Sequence, residues 1–361
     1  SSKGKIMKRL LIALIPATAL AAPLQGFYDN FDDWDIACDN TGTCRIAGYQ
    51  EDYGTHPISV LFTRQAGANA PVQGRIAVAP DFTDDAPDLV LGKRSELWLN
   101  GKSLGRVKLD KDFYGTLSPA QTQALLAALR RHSRIVLTSG KHRWQLSDKG
   151  AAAAMLKADE FQRRLNTPSA WLRKGNSRHA VLAPQPMPTI RAVAVPQKGS
   201  YELKAGTDKH RAVWTRLAAS NQVNDQHDDY CASLHPADNP DINKPQDITV
   251  YPLNNRQVLV ETLCSFGAYQ GTNLYAVMDK SLNKVEQVFA NDYGGHAGFD
   301  AETSTLAGGF KSRGLGDCWG GRTAVWNGKT FVKSSRDTTG SCRGFMGGAW
   351  TLPIWKTNVI R

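Results

Sequence analysis

Six cysteines do most to limit what this chain can fold into. They lie as three close couples: Cys38 with Cys44, Cys231 with Cys264, and Cys318 with Cys342. There is no Cys-x-x-Cys, so neither a thioredoxin-type redox site nor a zinc knuckle is indicated. The N-terminus points to an oxidising destination. Residues 1–6 read as a remnant ahead of a natural start at Met7. Lys8 and Arg9 then precede an apolar run, 10–20, that ends in Ala19-Leu20-Ala21. That order is a secretory signal peptide over 1–21, with a run too short to span a bilayer and a cut expected after Ala21. In an exported chain an even number of cysteines favours disulfides over metal ligands, and proximity selects the three local pairs. The Cys38–Cys44 bridge closes only a short loop, so it pins register more than it adds global stability.

The rhythm along the chain is mostly that of strands. Residues 31–49, FDDWDIACDNTGTCRIAGY, read as strand, turn, strand, and Trp34, Ile36 and Cys38 alternate with Asp33, Asp35 and Ala37 to give one apolar face. Further strands are expected at 58–64, 74–78, 96–99 and 104–109, the last two joined by a type I′ turn at Asn100-Gly101. Ser118, Pro119 and Gln121 open a helix as N-cap, first helical residue and capping-box partner; Leu125, Leu126 and Leu129 form its buried stripe. Strands at 135–139 and 143–146 precede a helix over about 149–165, with Ala153, Leu156, Phe161 and Leu165 inward and the basic residues outward.

Pro184, Pro186, Pro188 and Pro196 cannot sustain a helix or a central strand, which places a linker at 176–199. Beyond it lie a helical stretch at 212–220 and strands at 247–253, 257–266, 273–279, 285–290 and 305–311. Residues 308–342 read as a disulfide-stapled hairpin that turns at Asn327-Gly328, a second type I′ signal. A chain of 361 residues suits two domains. The expectation is an α+β chain: an N-terminal antiparallel β-sandwich with two helices (22–175), then a C-terminal, mostly antiparallel β-domain (200–361), a sandwich or barrel-like meander.

Two stretches carry a resemblance. WQLSDKGAAAAMLKADEFQRRLNTPSAWLRKG (144–175) and GLGDCWGGRTAVWNGKTF (314–331) resemble the domain-of-unknown-function family 1176 of exported proteobacterial proteins, and with the Trp34…Cys38…Cys44 opening the likeness spans nearly the whole mature chain. Residues 31–44 and 146–150 are similar, more loosely, to invasion-associated locus B proteins, which implies a β-sandwich first half. Neither likeness brings an activity, a cofactor or a catalytic residue. Trp319 stands where the family leads one to expect a glycine after the cysteine.

Charge is unevenly spread. Without Lys3, Lys5, Lys8 and Arg9 the net charge falls from +11 to +7. Between Arg130 and Arg178 twelve Lys/Arg face only Asp148, Asp159 and Glu160. Arg130, Arg131, Arg134, Arg163, Arg164, Arg173 and Lys174 are the candidate polyanion-binding residues, because a basic surface raises the local concentration of anions; the plainer reading is a solvated helix face. His227, Asp228 and Asp229 form the densest polar cluster, with a solvated loop before Cys231 as the plainer reading. Asp292, His296 and Asp300 surround a Gly-rich loop that misses the EF-hand pattern. Asp317 reads either as a buried acid in a pocket or as an acceptor for its own glycine turn. No nucleophile elbow, His-Glu-x-x-His or phosphate loop occurs.

No catalytic residue, metal or cofactor is therefore assigned. The leading expectation is a periplasmic binding protein of the cell envelope, its partner an envelope polyanion or another exported protein. No nucleic-acid partner and no membrane span in the mature chain are expected. The rivals are an envelope glycan or peptide hydrolase using His227, Asp228, His296 or Asp317, and an inhibitor of a lysozyme-like enzyme. The charge of +7 disfavours the inhibitor, because such targets are usually basic too.

Overall fold

The computed structural model describes residues 22–52, 55–81, 88–221, 231–235 and 244–361. The expected signal peptide, 1–21, lies outside them. The first part of the chain runs through β1 (Phe27–Phe31), β2 (Trp34–Cys38), β3 (Cys44–Tyr49), β4 (Ile58–Arg64), β5 (Val72–Val78), β6 (Ser95–Leu99), β7 (Lys102–Arg106) and β8 (Tyr114–Thr116). Then come α1 (Pro119–Ala128), β9 (Ile135–Ser139), β10 (His142–Leu146) and α2 (Ala151–Phe161). Six of these strands form an antiparallel sheet in the order β1-β2-β3-β4-β5-β8, and four form a second, β10-β9-β6-β7. One face of the larger sheet presents Trp34, Ile36, Ile46, Val60 and Phe62 to Leu97, Leu137 and Trp144 of the smaller one, with both helices closing the same core.

Local signals built α1 as expected. The Ser118 hydroxyl accepts from Gln121 N, and the Gln121 side chain accepts from Ser118 N at 2.9 Å, which completes a capping box. Leu125, Leu126 and Leu129 are buried. Asn100 and Gly101 both have positive φ, and Leu99 faces Lys102 directly, as a type I′ turn requires. In α2 the inward residues are Ala151, Ala154, Met155 and Ala158 rather than Ala153, Leu156, Phe161 and Leu165. Mostly small side chains on that face let the helix lie close on β2 and β3, while Phe161 flanks it against Phe27 at 5.3 Å. The helix starts only after Gly150, whose φ is +92 and where a Cβ would meet the Phe31 carbonyl.

The second part contains β11 (Thr189–Arg191), β12 (Tyr201–Leu203), α3 (Asp208–Ser220), β13 (Ile248–Pro252), β14 (Gln257–Phe266), β15 (Gly271–Asp279), β16 (Val285–Gly295) and β17 (Phe299–Asp300). It ends with β18 (Thr305–Lys311), β19 (Trp319–Trp326), β20 (Phe331–Thr338), β21 (Leu352–Lys356) and β22 (Asn358–Ile360). A large sheet follows the order β12-β13-β14-β15-β16-β18-β19-β20-β21, antiparallel except where β16 meets β18 at Gly294 and Gly295. α3 begins earlier than 212 because Thr207 caps it through His210 N. The Asn327 turn is a four-residue loop, not type I′: only Gly328 has positive φ, and Asn327 Oδ1 accepts from Lys329 N and Thr330 N at 2.9 Å. All three disulfides are the local pairs: Cys38–Cys44, Cys231–Cys264 and Cys318–Cys342.

The apolar alternation of β2 marks one face of its sheet, but both faces are covered. Ala37, Ala47, Tyr49, Leu61 and Ala77 on the back pack against Phe345, Ala349, Trp350, Leu352 and Ile354 from the far end of the chain. Polar groups fix this cover. Asp35 is fully buried and accepts from Tyr28 Oη (3.0 Å), Asn30 Nδ2 (2.8 Å), Ser341 N (2.7 Å) and Ser341 Oγ (2.7 Å). Arg343 pairs with Asp33 at 2.8 Å, and Trp350 Nε1 donates to Ser59 Oγ at 2.7 Å. The Pro-rich segment 176–199 is fastened too: Leu182 N donates to Gln162 O, β11 pairs with β22 in parallel, and Val193 N donates to Trp326 O.

Two outcomes are expected from this shared core. A protease nick within 176–199 should leave both pieces co-eluting on size exclusion under native conditions; separate elution would show that the 345–354 cover holds nothing together. Arg343→Ala leaves the buried Asp33 carboxylate without its cation, with only the Asp52 N–H still bonded to it among the described residues, and should lower stability by about 3 kcal/mol in urea denaturation. The double variant with Asp33→Ala should recover part of that loss.

Candidate functional site

The most extensive buried polar assembly lies at the C-terminal end of α2. Arg64 enters it from β4: Nη2 reaches Asp159 Oδ1 at 2.7 Å, Nε reaches Gln162 Oε1 at 2.6 Å, and the guanidinium lies 3.8 Å over the Trp171 ring. Asp159 also accepts from Trp171 N at 2.8 Å and Leu172 N at 2.9 Å. Burial pulls Arg64 down to about 10, opposed by the charge of Asp159, so it remains charged at neutral pH. Arg164 joins from the helix end, donating to Ser169 Oγ at 2.9 Å and Gly67 O at 2.6 Å. It is 1% exposed. This corrects its assignment to a polyanion-binding surface: the chain turns at Arg163, whose φ is positive, and sends Arg164 into the core.

That network holds the 162–179 loop, which carries three of the remaining candidates, Arg163, Arg173 and Lys174. Arg163, Arg173 and Lys174 are exposed. Asn166 N donates to Arg173 O, and His179 Nε2 meets Arg163 O at 2.9 Å, so these segments lie side by side. Arg130 Nε donates to Trp171 O at 2.9 Å, which brings the end of α1 against the same loop, with Arg131 and Arg134 exposed in the turn that follows. No Asp or Glu occurs from 161 to 201. The nearby acids are engaged elsewhere, Glu160 with Lys157 and Asp148 with His132 and Ser133 N. Arg130 thus meets the loop that carries Arg163, Arg173 and Lys174, while Arg134 lies against the turn at Asn100, which donates its N–H to Arg134 O and accepts from Arg134 N through Oδ1.

The other polar candidates do not converge. His227, Asp228 and Asp229 lie outside the described residues. Asp292 pairs with Arg322, His296 sets its ring against Trp319 at 5.0 Å, and Asp300 accepts from Glu302 N in its own turn. Asp317 is buried beside the Cys318–Cys342 bridge and accepts from Arg313 Nε and Gly344 N, both at 2.8 Å. Burial alone would raise its carboxyl, but hydrogen bonds from Arg313 and Gly344, with the Arg313 charge, hold it below the ordinary value. Its contribution to stability is thus whole above pH 3.8 and is lost as pH falls through the lower folded value. Asp317→Asn should melt below wild type at neutral pH, and the gap should close below pH 3.8 in thermal scans across pH.

A concave site escaped the sequence reading. Where β1 meets β19 and β20, a groove of about 430 Å³ is lined by Tyr28, Gly320, Gly321, Arg336, Asp337 and Ile354, among others. The available signal was the Gly320-Gly321 pair inside a strand run, since interior strand glycines mark close approach of a ligand or another backbone.

Against known proteins, no solved structure matches the chain. It is 27% identical over 203 residues to the "Uncharacterized protein YpfG" of Escherichia coli (strain K12), which covers 53% of this chain and 53% of that protein. The chain thus spans about half the length of the curated relative it matches. Residues 28–357 match the family described as "Protein of unknown function (DUF1176)", and the chain belongs to that family.

Proposed function

We propose that this is an exported, periplasmic protein that binds a polyanion of the cell envelope on the face formed by Arg130, Arg131, Arg134, Arg163, Arg173 and Lys174. The single observation behind this reading is the seating of Arg163, Arg173 and Lys174 on a loop anchored by the buried Arg64–Asp159 network, in a stretch without acids, with Arg130 bonded to the same loop. A rigid cluster of like charge, held apart from carboxylates, concentrates counter-ions that a scattered set does not. Three disulfides suit an oxidising compartment. No helix of the described residues is long and apolar enough to cross a membrane. The same reading takes 22–175 as a β-sandwich-like unit, loosely akin to the locus B proteins, with 200–361 as its companion and 176–199 between them. The hydrolase alternative has no such support, because Asp292, His296 and Asp317 each serve a separate local contact.

Binding by exposed bases weakens with salt, the Debye length being about 8 Å near physiological ionic strength. The whole chain should be retained on a lipopolysaccharide or heparin matrix at low salt and released by moderate salt. Reversing Arg163, Arg173 and Lys174 together to Glu should abolish retention without shifting the melting temperature. Retention unchanged by that triple reversal would mean the charges are only a solvated face.

A further inference from the structure

One face of the second sheet carries more positive charge than the chain neutralises. Arg322 on β19 and Arg336 on β20 are direct cross-strand partners, and Arg336 in turn stands opposite Trp355 of β21. β20 bulges at Ser334: the register passes from Thr323 with Ser335 to Ala324 with Lys333. Thr323 Oγ1 meets both serine hydroxyls, Ser334 at 2.6 Å and Ser335 at 2.7 Å, so both serines lie on its side of the sheet. The extra residue therefore brings Lys333 to the face of Arg336, where its ammonium lies 4.6 Å over the Trp355 ring. Strand alternation sends Asp337 and Gly321 to the opposite face, so that carboxylate does not neutralise Arg336.

Like charges directly opposite one another destabilise a sheet. Asp292 pairs with Arg322 and offsets one of these cations. Lys333 and Arg336 are exposed, and no carboxylate pairs with either among the described residues. Burial is the first cause that holds the Lys333 ammonium below its ordinary value, and the charges of Arg336 and then Arg322 add to it, so the three cations share one field. An anion bound among them would relieve a repulsion that the free chain already bears.

The cluster opens onto the groove of about 430 Å³ between β1 and the second sheet, which Arg322, Arg336 and Gly320 line from one face of β19 and β20. A Cβ at Gly320 would meet nothing within 4 Å, so the wall is low beside the two arginines. From the β1 side Tyr28 presents a ring that is 36% exposed, its hydroxyl held by Asp35 at 3.0 Å. Ile354, the extra residue of the β20–β21 bulge, adds an apolar surface. A groove of this volume lies toward the small end of ligand sites, roughly 300–1,000 Å³. Guanidinium forks match the oxygens of a phosphate group, and an aromatic ring with a polar tip suits a body that is apolar on one side and hydroxylated on the other. We propose that the groove binds a sugar phosphate, its phosphate on Arg336 between Lys333 and Arg322 and its ring over Gly320 against Tyr28. This site is separate from the basic face of the first half and does not depend on it.

Calorimetric titration of the whole chain with glucose 1-phosphate and N-acetylglucosamine 1-phosphate tests the proposal, with inorganic phosphate and the unphosphorylated sugars as controls. Saturable one-to-one binding of at least one sugar phosphate is expected, with inorganic phosphate weaker by about tenfold or more and no saturation by the plain sugars. Arg336→Gln should weaken binding by a similar factor while melting no lower than wild type, because it removes one member of a repelling cluster. Gly320→Val, which fills the low wall and leaves every cation in place, should block binding; Arg336→Gln carries the test alone if Gly320→Val does not fold. The triple reversal of Arg163, Arg173 and Lys174 should leave the sugar-phosphate affinity unchanged, which separates this groove from the basic face. Absence of saturable binding by both sugar phosphates, inorganic phosphate binding as tightly as they do, or wild-type affinity in Arg336→Gln would overturn the proposal.

Discussion

A sheet with two apolar faces cannot stand alone in water, and the six-stranded sheet has two. Its second cover is a segment some 300 residues away in sequence, and what holds that segment is a pair of buried carboxylates. Asp35 is the sharper case because it has no cation. Its charge is carried by four hydrogen bonds, two from β1 and two from Ser341. A buried carboxylate left bare would cost several kcal/mol, so Asp35 is stable in place only while Ser341 is docked. Tyr28 and Tyr49 feel the same centre: burial, then the Asp35 charge, pushes both phenols well above their ordinary range and keeps them as neutral donors.

The cover is positioned from both ends of the molecule. Cys342 is bonded to Cys318 at the start of β19, and Asp317 takes the Gly344 N–H, so the second sheet presents the segment in a fixed pose. Arg343 then reaches Asp33 and the carbonyls of Asp32 and Gln50 on the first sheet. Neither half can bury its share of the Phe345–Trp350 cluster alone. The groove beside Asp337 is a product of this arrangement, since one wall is β1 and the other is β19 with β20. Its width is set by packing that neither sheet controls separately.

What was legible in the sequence was what short-range chemistry decides. The capping box at Ser118, the turn at Asn100-Gly101 and the three bridges depend on residues close in the chain, and each was placed correctly. The Asn327-Gly328 signal misled because the side chain of Asn327 offered the loop its own acceptor, which competes with a two-residue turn. The buried face of α2 departs from the expected Ala153, Leu156, Phe161 and Leu165 because mostly small residues, Ala151, Ala154 and Ala158, let the helix approach the sheet. Arg164 and the Asp33–Arg343 pair were not readable at all. Arg164 is buried by Gly67 and Ser169, and Asp33 meets a partner 310 positions away; no periodicity encodes either. Of the candidate surface bases, Arg131, Arg134, Arg163, Arg173 and Lys174 are exposed and Arg130 is half-buried, in keeping with helix ends and loops facing water by default.

Exposed and part-buried charges differ in what a ligand could gain from them. Exposed bases on the 162–179 loop keep most of their hydration, so each contact is weak and additive, and length and charge density of the partner matter more than its detailed shape. Asp337 has already lost part of its hydration in the folded chain. The buried acids elsewhere set the contrast. The buried carboxylates at positions 33, 35, 39, 159 and 317 each have partners supplied by the chain itself. Among the described acids, Asp337 is the one whose carboxyl burial leaves raised, a stability cost that the fold carries.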